Sequence, residues 1–117
     1  MIKMIALLQR RPELSRAEFV RHWRETHGPL AQGIPGLRRY IQSHLVSERS
    51  RPDIPDLPVD VDGIAELWFD SIEAMEKVHH DERMKRLLAD GALFIGGIRT
   101  FLVEEIPIID GTQDKDA

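Results

Sequence analysis

The order in which strand-like runs and capped helical stretches alternate constrains this chain more than any other feature. Ile2–Gln9 is an apolar run of strand length. Ser15-Arg16-Ala17-Glu18 is a capping box, in which serine and glutamate satisfy each other's free amides and start a helix. Pro35-Gly36 introduces a second strand, Leu37–Val46, and Pro52, Pro55 and Pro58 make Ser47–Asp60 a long exposed loop. Gly63–Phe69 is a third strand. Asp70 or Ser71 caps a second helical region, with Glu73 in its first turn, and Asp81 restarts that region through Ala89. Gly91 ends it, and Gly96-Gly97 lead into a fourth strand, Ile98–Glu105.

The order β-α-β-β-α-β, with right-handed crossovers, predicts a four-stranded antiparallel sheet with the helices on one face, a ferredoxin-like α+β domain over residues 1–109. Residues 110–117 read as a disordered tail. Helices cover only one face of such a sheet, so the other should turn polar. These strands do not comply. Met4, Ala6 and Leu8 oppose Ile5 and Leu7; Ile64 and Trp68 oppose Ala65, Leu67 and Phe69; Ile98 and Leu102 oppose Phe101 and Val103. A monomer would expose more contiguous apolar surface than soluble proteins usually carry. Two copies pairing sheet to sheet would bury it, so the expected assembly is a homodimer closing as a dimeric α+β barrel.

Composition narrows the function classes. The 117 residues are 42% hydrophobic and 31% charged, with a net charge of −4. A chain of this size buries roughly 65% of its unfolded surface, enough for one core. Mild acidity disfavours nucleic acid, which calls for a basic face. The absence of cysteine removes disulfides, thiolate metal sites and a cysteine nucleophile. No apolar run approaches the roughly 18 residues of a membrane span, and MIKMIALL lacks a signal-peptide cleavage pattern, so a cytoplasmic location is expected.

The segment Phe19–Tyr40 carries the densest chemistry. At about 100° per helical residue, Phe19, Trp23, His27 and Leu30 share one stripe, which puts a histidine where a hydrophobe belongs. Gly28-Pro29 then predicts an abrupt helix end through a positive φ at the glycine. His27 is either a core or interface imidazole bonded to a backbone carbonyl, or the rim of a cavity. In the second strand, alternation assigns Leu37, Ile41 and Leu45 to the helix-packing face. Arg38, Tyr40, Gln42, His44 and Val46 then face the barrel interior, with Tyr40 and His44 roughly 13 Å apart along the strand. His27, Tyr40 and His44 are the candidate catalytic groups. Glu66, set among hydrophobes, is either paired with an arginine across the sheet or desolvated into a proton carrier. Glu66, Trp23, Trp68 and Phe94 are the candidate substrate-binding residues. Metal ligation is not expected: His22 and His27 fall about 140° apart on an α-helix and diverge, and no HExxH pattern occurs. Haem is not expected either, since the Asn-Trp-His set of haem-degrading barrels lacks its asparagine here.

Taken together, Ile2–Leu8, Phe19, His22-Trp23, His27-Gly28-Pro29-Leu30, Pro35-Gly36-Leu37, Tyr40 and His44 resemble the EthD family of dimeric α+β barrels. So do Asp62 through Phe69, Asp90 with Phe94, and Val103-Glu104-Glu105. The family is named for ethyl tert-butyl ether degradation. The resemblance implies a small hydrophobic metabolite as ligand and isomerase, dehydratase or oxidoreductase chemistry. Similarity to methylmuconolactone isomerases runs through Glu66, Trp68 and Phe69, but those enzymes carry a cysteine where this chain has Leu67. The resulting expectation is a homodimer, free of metal and cofactor, that binds a small cyclic or aromatic metabolite. It would isomerise, dehydrate or cyclise that metabolite by acid-base chemistry. The alternatives are a non-catalytic accessory protein of an oxygenase pathway and a cofactor-independent monooxygenase.

Overall fold

The computed structural model describes residues 1–111; of the expected disordered tail, residues 112–117 lie outside the described residues. Strand β1 (Ile2–Arg10) is followed by helix α1 (Arg16–Arg21), which the Ser15–Glu18 capping box opens as expected. The chain continues helically beyond α1, through a π-helical turn at His22–His27 and a 3-10 turn at Gly28–Ala31. Next come β2 (Leu37–His44) and β3 (Gly63–Phe69). Helix α2 (Ile72–Lys77) is capped by the Ser71 hydroxyl, and a 3-10 turn (Val78–His80) separates it from α3 (Glu82–Phe94), which Asp81 caps. Strand β4 (Ile95–Val103) completes one antiparallel sheet of order β2-β3-β1-β4.

Three local expectations are corrected. Helix α3 runs through Gly91 to Phe94, and β4 already contains Gly96-Gly97. These two glycines sit where β4 passes a register shift at Gln9/Arg10 of β1, and a Cβ on Gly96 would lie 2.8 Å from the Arg10 carbonyl oxygen. Gly28 is helical, with φ −52°, so it does not end the helix by a left-handed turn; positive φ falls at Gly33 and Gly36 instead.

The third correction reverses a whole strand. Leu37 pairs with Phe69 but Arg39 pairs with Trp68, so Arg38 is an extra residue in β2. A one-residue bulge exchanges the faces of everything beyond it. Tyr40, Gln42 and His44 therefore pair with Leu67, Ala65 and Gly63 on the helix-covered face, while Ile41 joins Glu66 on the open one. The bulged side chain is tied down by two hydrogen bonds from Arg38 to Asp70, of 2.7 and 2.8 Å.

The core lies between the sheet and the helices. Phe19, Trp23, Phe69 and Phe94 are its largest fully buried side chains. Trp23 lies so close to Gly63 that a Cβ there would overlap the indole. Asp62, buried at the start of β3, accepts from the Arg10 amide at 2.8 Å and from its guanidinium at 2.7 Å, which fastens the end of the proline-rich loop to β1. The opposite face of the sheet carries no helix and presents Ile5, Leu7, Ile41, Ile64, Trp68, Phe101 and Val103. No described helix is long and apolar enough to cross a membrane.

Candidate active site

A cavity of about 550 Å³ opens between the helix-covered face of the sheet and α2–α3. Its floor is Met4, Ala6, Leu8, Tyr40, Ala65, Leu67 and Phe69 from alternate positions of three strands. Trp23 and His27 wall one side; Met75, Val78, Met84 and Leu87 wall the other. A largely apolar pocket with a few convergent polar groups is the form small-molecule sites usually take.

The π-helical turn brings His27 into this wall together with an unexpected companion. Bonds from residue i to i+5 place residues five apart on one face, so His22 and His27 do converge, contrary to the α-helical expectation. Both meet the Asp90 carboxylate of α3: His27 Nδ1 lies 2.8 Å from Oδ2, and His22 Nε2 lies 3.0 Å from the same oxygen. An ionised carboxylate accepts from both rings, so Nδ1 of neutral His27 carries the proton and Nε2 keeps its lone pair. The side chain of His27 is 11% exposed and that of His22 is 29% exposed, so the carboxylate links a cavity-side imidazole to a solvent-side one. Burial lowers the pKa of His27 below the ordinary histidine value, and the Asp90 hydrogen bond and charge oppose that shift. The outcome is a neutral imidazole with a free nitrogen at near-neutral pH.

Tyr40 is held by a second network. Gln42 Nε2 donates to the Tyr40 hydroxyl at 3.0 Å and to the Trp23 carbonyl at 2.8 Å. Gln42 Oε1 faces His44 Nε2 at 2.9 Å. Gly28 makes room for this amide, since a Cβ there would lie 3.1 Å from Gln42 Nε2. Because the Tyr40 oxygen accepts from Gln42, its own proton is free to donate. Burial raises the Tyr40 pKa, only partly offset by hydrogen bonding with the Gln42 and Trp23 side chains, so the phenol stays protonated.

The predicted site residues thus separate into three groups. His27, Tyr40 and Trp23 line the cavity. His44 and Phe94 stand behind the wall. His44 stacks on Trp23 at 4.5 Å and reaches Tyr40 only through Gln42; burial, and secondarily the Arg24 charge, lower its pKa. Phe94 packs against both His27 and His22, with ring centroids at 5.0 and 4.7 Å. Glu66 and Trp68 lie on the open face. Glu66 pairs with Lys3 at 2.7 Å, and Trp68 sits between the cations of Lys3 and Arg39, at 4.7 and 4.8 Å from its ring centroid, donating to Glu105. The placement of Trp68 follows from the pleat, and Glu66 takes a lysine partner where an arginine was expected.

Asp90 and Gln42 are hydrogen-bond partners of candidate residues, and the sequence candidates omit both. Asp90 had a readable signal: it lies three residues after Leu87 and four before Phe94, an acid at the edge of the buried stripe of α3. Gln42 shares the strand face of Tyr40 and His44 in the alternation, but the bulge that turns this face toward the helices is not visible there.

Comparison with known proteins agrees with this architecture. The chain is similar to a 4-carboxymethyl-4-methylbutenolide mutase of Pseudomonas reinekei, with 29% identity over 107 residues, covering 91% of this chain and 99% of that protein. An EthD family protein from Bacillus halodurans has 27% identity and a TM-score of 0.71, covering 91% of this chain and 99% of that structure. A dimeric ferredoxin-like protein from Thermobifida fusca shares the fold with a TM-score of 0.65 at 15% identity, covering 89% of this chain and 90% of that one. The EthD domain model matches residues 11–98, the stretch that runs from the first helix through both histidines, Tyr40 and Asp90 into β4, and on that match the chain belongs to the EthD family.

Proposed function

We propose that this protein is a cofactor-free acid-base isomerase acting on a small cyclic metabolite of the butenolide-lactone type. The observation that carries the reading is that His27 and Tyr40 open onto one apolar cavity in complementary states. His27 presents a neutral nitrogen because Nδ1 is committed to Asp90. Tyr40 presents a free O–H because its oxygen already accepts from Gln42. In such a site His27 Nε2 removes a proton from the methylene attached to ring carbon 4 as the ring C4–O bond breaks, and Tyr40 donates a hydrogen bond to the departing lactone carboxyl group as negative charge builds there. The arm's carboxylate then closes a new ring on carbon 3 and the imidazolium returns the proton to carbon 2, so one C–O bond forms for the one broken and atoms and charge balance without any external reagent. The similarity to a butenolide mutase supports both the substrate class and the reaction type.

The test is turnover of 4-carboxymethyl-4-methylbutenolide followed by NMR. His27→Gln and Tyr40→Phe are each expected to reduce the rate by about 10²- to 10⁴-fold, with the folded state intact by circular dichroism. If both variants turn over as the wild type does, the assignment fails. If the lactone stabilises the protein against heat but is never converted, the protein is an accessory binding protein of the kind named above.

The working unit in this reading is a homodimer, its two copies meeting through the open faces of their sheets. The apolar face without a helix supports this, as does the dimeric relative of the same fold. Sedimentation at micromolar concentration should give twice 13.4 kDa. Phe101→Glu, on the edge strand of that face where the ring is exposed, should shift the equilibrium to monomer.

A further inference from the structure

The cavity mouth holds one titratable group to which no role has been assigned. His79 lies in the 3-10 turn between α2 and α3, lines the cavity and is exposed to solvent. It makes no hydrogen bond, ion pair or ring contact with any described residue. Among the described residues that line the cavity there is no lysine, arginine, aspartate or glutamate; the side chains with polar groups are Trp23, His27, Tyr40, His79 and Thr100.

These five differ in what charge they can meet. Tyr40 and Thr100 offer only neutral hydroxyls, and the buried Trp23 only a neutral indole N–H. His27 is buried, and its Nδ1 is taken by Asp90. A carboxylate placed against such walls without a cationic partner carries a heavy desolvation cost. At the mouth the balance differs, because water still solvates a charge there, and a nearby carboxylate favours the charged form of an imidazole. His79 is the one lining residue that combines this position with an uncommitted side chain.

We propose that His79 is the recognition residue for an acidic substituent of the ligand. The site then takes a small ring carrying a carboxylate arm, with the ring between His27 and Tyr40 and the arm at the mouth. This rests on the lactone reading given above, and it adds a residue and a selectivity that the reading does not contain. Tyr40 and His27 act on the ring, while His79 distinguishes an acid from its neutral counterpart.

Two probes of the same ring separate the effects: 4-carboxymethyl-4-methylbutenolide and its methyl ester. By isothermal titration, the wild-type protein should bind the acid about tenfold more tightly than the ester. His79→Leu should weaken the acid to the level of the ester and leave the ester unchanged, while His79→Lys should restore the preference. Because the native side chain has no partner to lose, all three proteins should unfold at closely similar temperatures. Equal binding of acid and ester by the wild type, or an undiminished preference in His79→Leu, overturns the proposal and leaves the isomerase reading standing. If neither probe binds, both readings are overturned. An unchanged His79 preference alongside full turnover by His27→Gln and Tyr40→Phe removes the isomerase mechanism and keeps the recognition role.

Discussion

Trp23→Ala should lower the unfolding free energy by about 3–5 kcal/mol, a large part of the roughly 5–15 kcal/mol that holds an ordinary domain together. The indole is fully buried and touches four parts of the fold at once. It packs on Phe19 at 5.6 Å, stacks on His44 at 4.5 Å, lies against the bare backbone of Gly63 and forms part of the cavity wall. Collapse cannot fill the vacancy, because Gly63 has no side chain to move in and His44 is fixed to Gln42. The cavity would instead extend to His44. Urea unfolding should show a lower midpoint with an unchanged slope. Trp23→Phe keeps a ring against Phe19 and should lose far less. A loss for Trp23→Ala no greater than for Trp23→Phe would show that the indole does not organise this side of the core.

The chain order, the caps and the two-faced strands were legible because each is a local signal. Ser15, Ser71 and Asp81 mark helix starts through side chains that reach amides only two or three residues away. The positions of the site residues were legible only where ideal periodicity holds. Two departures of one residue broke it. The π-helical turn at His22–His27 moves His22 onto the same carboxylate as His27. The bulge at Arg38 carries Tyr40, Gln42 and His44 across the sheet to the cavity side.

Neither departure is favoured by local propensity, and each is held by contacts distant in sequence. Asp90 lies 63 residues from His27 and clamps both histidines of the turn. Gln42 reaches back to the Trp23 carbonyl, which also accepts from the Gly28 amide as the π turn closes. Asp70 pins the bulged arginine from 32 residues away. Local rules fail here at the positions where the cavity acquires its polar groups, as expected when a site is built at some cost to regular structure. Exposed, unpartnered His79 lay outside the reach of pattern reading for another reason. A histidine pair near a helix end looks like any solvated surface until the cavity beside it is known.

Asp90→Asn should reduce lactone turnover by at least about 10²-fold while leaving the apolar wall intact. The amide is nearly the same shape as the carboxylate, so the packing of α3 against the π-helical turn survives, but the negative charge between the two imidazoles is gone. Two consequences follow for His27. The first concerns its tautomer: an asparagine NH₂ can donate to Nδ1, which moves the ring proton to Nε2 and removes the lone pair from the cavity. Histidine ¹⁵N NMR should show one protonated Nδ1 and a bare Nε2 for His27 in the wild type, and a mixed or inverted pattern in the variant. The second concerns basicity. Burial lowers the His27 pKa and Asp90 opposes that shift, so removing the carboxylate lowers it further. In the wild type, the unfolded chain binds a proton at this histidine below about pH 6.5 while the folded protein resists it. Stability therefore declines as the pH falls through that value toward the lower folded pKa. In Asp90→Asn the decline continues to lower pH, because the folded imidazole accepts its proton later. A variant that keeps wild-type turnover, with His27 in the same tautomer, would show that the carboxylate only packs α3 against the π-helical turn and that His27 needs no partner to act.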